Sequence, residues 1–170
     1  MKLIAPLHKN KTMKLHLLRH SDTENFSSTG VDFDRNLTPE GKERAIKTGI
    51  YLNDKLSRKI AVYCSSSNRT RETAAIVQTQ FEYRNIQMKD ELYHANLSQL
   101  LLFVNQLEDQ GPVLIIGHND GITDLANYLT GENIHLSTCQ YVCIELKATN
   151  WQEVSRDTGR LVDNFRPELI

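Results

Sequence analysis

Three short apolar runs, each followed by polar residues and then a helical stretch, limit the fold most strongly. Lys14 to Leu18, Ile60 to Cys64 and Val113 to Ile116 have the length and composition of buried strands. After the first run comes a polar loop, Ser21 to Asn36, with Ser27-Ser28-Thr29-Gly30 at its centre. Leu37-Thr38-Pro39-Glu40 then reads as a helix start: Thr38 caps, Pro39 takes the first helical position and Glu40 suits the positive helix end. That helix is expected to run to about Leu56. Ser65-Ser66-Ser67-Asn68 precedes a second helix through Ala74 and Val77, and Ile86 to Met88 reads as a short strand. Asn96 caps a third helix with Leu97, Leu100, Leu101, Val104 and Leu107 at helical spacing. Gly121 to Thr130 forms a fourth, closed by Gly131. Gln140 to Leu146 and Trp151 to Ser155 are expected to close the chain as a hairpin across Thr149-Asn150.

Alternation of this kind predicts an α/β fold, a three-layer α/β/α sandwich around a mainly parallel sheet. Residues 13–170 are expected to form one domain, preceded by an N-terminal extension, residues 1–12, with little ordering content. No run reaches the 18 or so apolar residues that span a bilayer. The three cysteines, Cys64, Cys139 and Cys143, make no CxxC pair or metal spacing. Such sparse usage suits a reducing, cytoplasmic setting.

Lysine plus arginine number 20 and aspartate plus glutamate 21, so the net charge is −1. A near-neutral chain is a poor candidate for general nucleic-acid or anionic-membrane binding. Any anion must therefore meet a few locally placed cations.

In parallel sheets, ligands bind beyond the carboxyl ends of the strands. The residues there are Arg19 and His20 after the first strand, and the serine run with Arg69 after the second. Glu91 follows the third, and Gly117-His118-Asn119 the fourth. Two arginines and two histidines converging near helix N-termini suit a phosphoryl dianion. Neutral imidazole at His20, kept so by flanking guanidinium groups, is a competent nucleophile toward phosphorus. Arg19 and Arg69 are the expected clamps on the non-bridging oxygens, with a cationic His118 as third donor. The product would be a phosphohistidine at His20, then hydrolysed by water, with no metal and no other cofactor required. Arg69 at a helix start opposes the helix dipole unless an anion is present, which favours a binding role. Arg35, next to Asp32 and Asp34, reads as a structural ion-pair residue, and His94 as a polar loop residue near the cleft.

At these residues the chain resembles the histidine phosphatase, or phosphoglycerate-mutase-like, superfamily. Leu17-Leu18-Arg19-His20 is similar to its first strand and nucleophile, and Ser65 to Ala74 to its second arginine motif. VLIIGHNDG, Val113 to Gly121, is similar to its second-histidine motif. The small phosphohistidine phosphatase branch is the nearest resemblance, through Asp32 to Thr38, Glu91 to Ala95 and the tail from Gly159-Arg160-Leu161 to Arg166-Pro167. His20 to Arg69 and Arg69 to His118 each span 49 positions, too few for the helical insert of larger members. The resemblance thus implies a metal-independent phosphatase with an open cleft, acting on a phosphorylated protein, above all a protein phosphohistidine. A broad-specificity phosphomonoesterase acting on small phosphorylated metabolites is the nearest alternative. Outside enzymes, the alternative is a catalytically weak phosphate-binding module, because Ser21 stands where the family usually has glycine. The family acid after the third strand would be Glu91, with Asp22 a second candidate. The sequence sets no oligomeric state.

Overall fold

The computed structural model describes residues 12–81, 83, 85–108 and 111–168. Residues 1–11, most of the expected extension, lie outside them. A six-stranded mixed sheet forms the middle layer, built from β1 (Met13–Arg19), β2 (Ala61–Ser65), β3 (Ile86–Lys89), β4 (Val113–Gly117), β5 (Tyr141–Leu146) and β6 (Gly159–Phe165). The spatial order is β3-β2-β4-β1-β5-β6. The first four strands are mutually parallel, while β5 runs antiparallel to β1 and β6 antiparallel to β5.

Helices α1 (Pro39–Lys55) and α2 (Asn68–Gln80) cover one face, and α3 (Leu97–Asn105) and α4 (Gly121–Thr130) the other. Successive residues of a strand point to opposite faces, so each strand feeds both cores. Leu15, Leu17, Val113 and Ile115 pack with Leu100, Val104, Ile122 and Leu125. Leu18, Val62, Leu114 and Ile116 pack with Leu52, Ala74 and Val77. Double-sided burial explains why β4 reads as an unbroken apolar run rather than as an alternating one, and why β1 is buried without a break from Leu15 to Leu18 although it carries His16.

The helix starts follow the expected chemistry in part. Thr38 Oγ1 accepts from Gly41 N–H at 3.0 Å, with Pro39 in the first turn. Asn96 and Gln99 cap α3 reciprocally, and Gly131 ends α4 at φ 70°. Ser67 precedes α2 but its hydroxyl does not cap it; that oxygen faces Thr70 and His118 instead.

The closing hairpin differs from expectation. β5 pairs with Gly159–Phe165, whereas Trp151–Glu153 is a short 3-10 turn. Asn150 Oδ1 accepts from Glu153 N–H, and the Asn105 side chain donates to the carbonyls of Trp151 and Val154 at 2.7 and 3.0 Å. Those backbone groups are therefore committed to a turn and to α3. Trp151 is buried in the α3–α4 core rather than alternating in a ribbon.

The topology sets the position of the site. β1 and β4 are neighbours, in register from Leu15↔Val113 to Arg19↔Gly117. The chain leaves β1 toward α1 on one face and leaves β4 toward α4 on the other. Such divergence opens a crevice at the strand ends.

Candidate active site

His20 and His118 each stand one residue beyond those paired strands, so the sheet sets them side by side. The His20 N–H donates to the Gly117 carbonyl at 3.0 Å, and the two imidazole centroids are 5.2 Å apart. His20 Nδ1 lies 2.7 Å from the Ser21 carbonyl oxygen. A carbonyl only accepts, so Nδ1 carries the proton and Nε2 keeps its lone pair. Burial pushes the His20 pKa down to about 4, assisted by the charges of Arg69, Arg19 and Arg35 and opposed by the Ser21 hydrogen bond. The ring is therefore neutral near pH 7, with a free Nε2.

His118 Nε2 lies 2.8 Å from Ser65 Oγ and 3.4 Å from Ser67 Oγ. Burial first, then the His20, Arg69 and His94 charges, lower its pKa to about 2, with Asp32 acting the other way. The expectation of a cationic His118 is thus corrected: burial above all, and then the neighbouring His20, Arg69 and His94 charges, favour the neutral ring. His118 Nδ1 is buried without a hydrogen-bond partner, and so is Arg19 Nε. Buried polar atoms are almost always paired in folded proteins. Two orphans at one strand edge mark a place where a polar ligand belongs.

Arg19 ends β1 and donates from Nη1 to the Leu136 carbonyl at 2.7 Å, which holds the guanidinium over the crevice. Arg69, in the first turn of α2, is buried to 2% exposure. Its Nη1 donates to the Asp32 carbonyl at 2.8 Å and its Nη2 to Asp32 Oδ2 at 2.9 Å. The anion required to offset a cation at this helix start comes from within the chain. Asp32 Oδ2 also accepts from Tyr93 Oη at 2.8 Å and from His94 Nε2 at 3.1 Å, while Oδ1 pairs with Arg35 at 2.9 Å. Three of these donors and the Arg69 charge hold the Asp32 carboxyl far below its ordinary range despite the opposing effect of burial. Arg35 is the structural ion-pair residue expected from its neighbours, and Asp32 is the site residue that sequence reasoning passed over.

The structure thus gathers Arg19, His20, Arg69 and His118 at one edge and adds Asp32, Tyr93 and His94. Glu91 is not part of this cluster. It sits exposed on the 3-10 turn Asp90–Leu92 and lines a separate cavity with Tyr63, Gln87, Lys89 and Phe103. The correction has a simple cause: Leu92 is buried in the α3–α4 core, and its neighbour on so tight a turn faces away. Asp22 is held by Thr138 Oγ1 at 2.7 Å and by Arg44 at 3.2 Å. Ser21 has no positive φ, so glycine is not required there. Its hydroxyl donates to the Gly41 carbonyl at 2.7 Å, and not toward the crevice.

Comparisons with known proteins bear on the family and the fold. The profile of the histidine phosphatase superfamily (branch 1) matches residues 15–101. An uncharacterised chloroplastic protein of Arabidopsis thaliana is 26% identical over 157 residues, covering 86% of this chain and 72% of that protein. A structure from Nakamurella multipartitia, assigned as the phosphohistidine phosphatase SixA, superposes with a TM-score of 0.80 at 24% identity, over 92% of this chain and 96% of that one. A protein histidine phosphatase SixA solved with tungstate gives a TM-score of 0.77 at 19% identity, over 91% and 97%. These two share the α/β fold described above, without a large helical insert. The profile match covers just over half of the chain and takes in β1, α1, β2, α2 and β3 with His20 and Arg69. The chain belongs to the histidine phosphatase superfamily, branch 1, and is a phosphatase.

Proposed function

We propose that this phosphatase works through a covalent phosphohistidine at His20, with protein phosphohistidine as its preferred substrate. One observation carries the mechanism: the Ser21 carbonyl holds the His20 Nδ1 proton, and the surroundings keep that ring neutral, which leaves Nε2 as a nucleophile. Nε2 bonds to phosphorus as the bond from phosphorus to the leaving atom breaks. Water then attacks the phosphohistidine, and inorganic phosphate leaves as Nε2 recovers its lone pair.

Arg19 Nε and His118 Nδ1 are the groups left to meet the non-bridging oxygens, and Arg69 supplies a buried guanidinium beside them. A dianion between the histidines also raises the His118 pKa, so substrate binding itself draws a proton onto that ring. Counter-charge from arginine makes a metal unnecessary for the step.

The rim favours a large substrate. Phe26 is 86% exposed and Val31 52% exposed on the loop that leads into Asp32. Apolar side chains beside a phosphate site give a folded partner something to cover. The fold likeness to structures assigned as phosphohistidine phosphatases points the same way.

The test compares phosphate release from a phosphohistidine-bearing protein and from common phosphomonoesters, with EDTA present and with His20→Ala alongside. Turnover without metal, fastest on the phosphoprotein and abolished in His20→Ala, is the expected result. An active His20→Ala protein overturns the mechanism, and phosphate binding without turnover indicates a phosphate-binding module.

A further inference from the structure

The reaction needs something to protonate the leaving atom when that atom is a poor leaving group; Glu91 lines a separate cavity, and Asp22 is held by Thr138 and Arg44. His94 stands within the cluster itself. Its ring lies 5.0 Å from that of His118, which in turn lies 5.2 Å from His20, so His118 neighbours both of the other imidazoles. Its side chain is 52% exposed, at the mouth, where an outgoing group must pass.

His94 Nε2 has two neighbours, Asp32 Oδ2 at 3.1 Å and Arg69 Nη2 at 3.3 Å. The guanidinium nitrogen only donates, and the carboxylate oxygen only accepts. One ring nitrogen cannot serve both, and the shorter contact is the one to Asp32. Nε2–H therefore donates to the carboxylate, which leaves Nδ1 as the atom that gains and gives a proton. A carboxylate behind an imidazole fixes its orientation, as in other acid–base pairs. Four groups face this ring: Asp32 from the loop before α1, Arg69 from α2, His118 from the end of β4, and Tyr93 beside it. The backbone at His94 adds a second indication. Its φ is 50°, in the left-handed region that side chains rarely adopt and that concentrates at functional sites.

We propose that His94, oriented by Asp32, is the proton donor to the leaving group, which extends the site from phosphohistidine and aryl phosphates to phosphomonoesters of aliphatic alcohols. In the first step the His20 Nε2–phosphorus bond forms, the phosphorus–oxygen bond breaks, and the alkoxide oxygen takes the Nδ1 proton of the His94 imidazolium. In the second step water attacks phosphorus, neutral His94 takes its proton, and His20 leaves. The inference rests on the His20 reading.

The experiment measures kcat/KM, which reports the first step, for phosphoserine and for 4-nitrophenyl phosphate. Nitrophenolate departs with little help, whereas an alkoxide does not. Asparagine tolerates a left-handed backbone and can still bond to Asp32, but it cannot donate a proton in this way. In His94→Asn the phosphoserine-to-nitrophenyl ratio is expected to fall about 100-fold or more, the size of a lost general acid. Wild-type enzyme gives a second readout that needs no variant: a normal solvent deuterium effect on kcat/KM for phosphoserine, with little for nitrophenyl phosphate. A ratio within threefold of wild type, no isotope effect with phosphoserine, or no wild-type turnover of phosphoserine overturns the proposal. Trapping with labelled substrate separates the two readings. An alkali-stable phosphoenzyme with an unchanged ratio removes only the His94 assignment, and failure to form one removes His20 as well.

Discussion

Asp32 and Arg69 lie 37 positions apart and make two contacts: guanidinium to carboxylate at 2.9 Å and guanidinium to backbone carbonyl at 2.8 Å. A carboxylate therefore occupies the cation that a phosphoryl group would seek. Its charge opposes a dianion nearby, while its bonds aim Arg69, Tyr93 and His94. Asp32→Asn removes the charge and keeps the shape. Inhibition by inorganic phosphate is expected to tighten severalfold, about 1 kcal/mol for a carboxylate nearly half exposed to screening solvent. Phosphate inhibition constants for the two proteins check this; equal constants would mean that Asp32 does not compete for the site.

Arg69→Ala should lower kcat/KM by about 100- to 1,000-fold, the usual loss for one charge-stabilising donor. Arg69→Lys should recover little, because an ammonium cannot span the Asp32 carbonyl and carboxylate at once. Phosphate-release kinetics on all three proteins test the point. A near-normal rate in Arg69→Ala would assign the clamp elsewhere.

Stability should fall on mild acidification. His16 is buried with Nδ1 2.7 Å from Tyr141 Oη, and burial lowers its pKa to about 4, with Lys14 assisting and Asp163 opposing. His20 and His118 are lowered as well. Each binds a proton more readily in the unfolded chain, so stability is held above the ordinary histidine pKa and is lost as pH drops from about 6.5 toward 4 for His16 and His20, and on toward 2 for His118. For His16 alone the loss is on the order of 3 kcal/mol across that window. Urea midpoints at pH 7.5 and 5 check the sign, and His16→Gln should reduce the dependence, leaving the part due to His20 and His118. Equal midpoints for wild type at both pH values would contradict it.

Gly41 tests how tightly the first loop is built. A Cβ there would meet the Asp22 carbonyl oxygen at 2.2 Å, and the Gly41 carbonyl already accepts from Ser21. Gly41→Ala must push α1 from the β1 end and should cost at least 2 kcal/mol. Ser21→Ala loses only the hydroxyl bond and should cost about 1 kcal/mol. Thermal unfolding ranks the two; a Gly41→Ala protein as stable as wild type would show that the helix start can move.

Periodicity made the strand ends legible, and with them Arg19, His20, Arg69 and His118, because residues after buried parallel strands have only one edge to occupy. Asp32 was not legible. Its loop has no period, and its partners on α2 and beyond β3 meet it only in three dimensions. His94 could be placed near the cleft but given no role, because its contacts with Asp32, Arg69 and His118 arise only in three dimensions. Glu91 misled because its distance from the strand end is right while its direction is set by Leu92. The closing hairpin misled because Trp151 and Val154 are apolar residues of a turn, whose alternation resembles a strand until the Asn105 contacts are seen.

The register that joins Arg19 to Gly117 also divides the molecule's labour. The spacing of the two central histidines is held by backbone hydrogen bonds in the middle of the sheet, whereas the crevice mouth is furnished by residues 21–36 and 90–96. Those segments are not neutral inserts: the Ser21 carbonyl fixes the His20 proton, the Asp32 carboxylate holds Arg69, and Leu92 and Ala95 are anchored in the core. Variation in what the protein accepts is therefore confined to the exposed positions of the rim, such as Phe26 and Val31, where a side chain can change without moving the reacting pair.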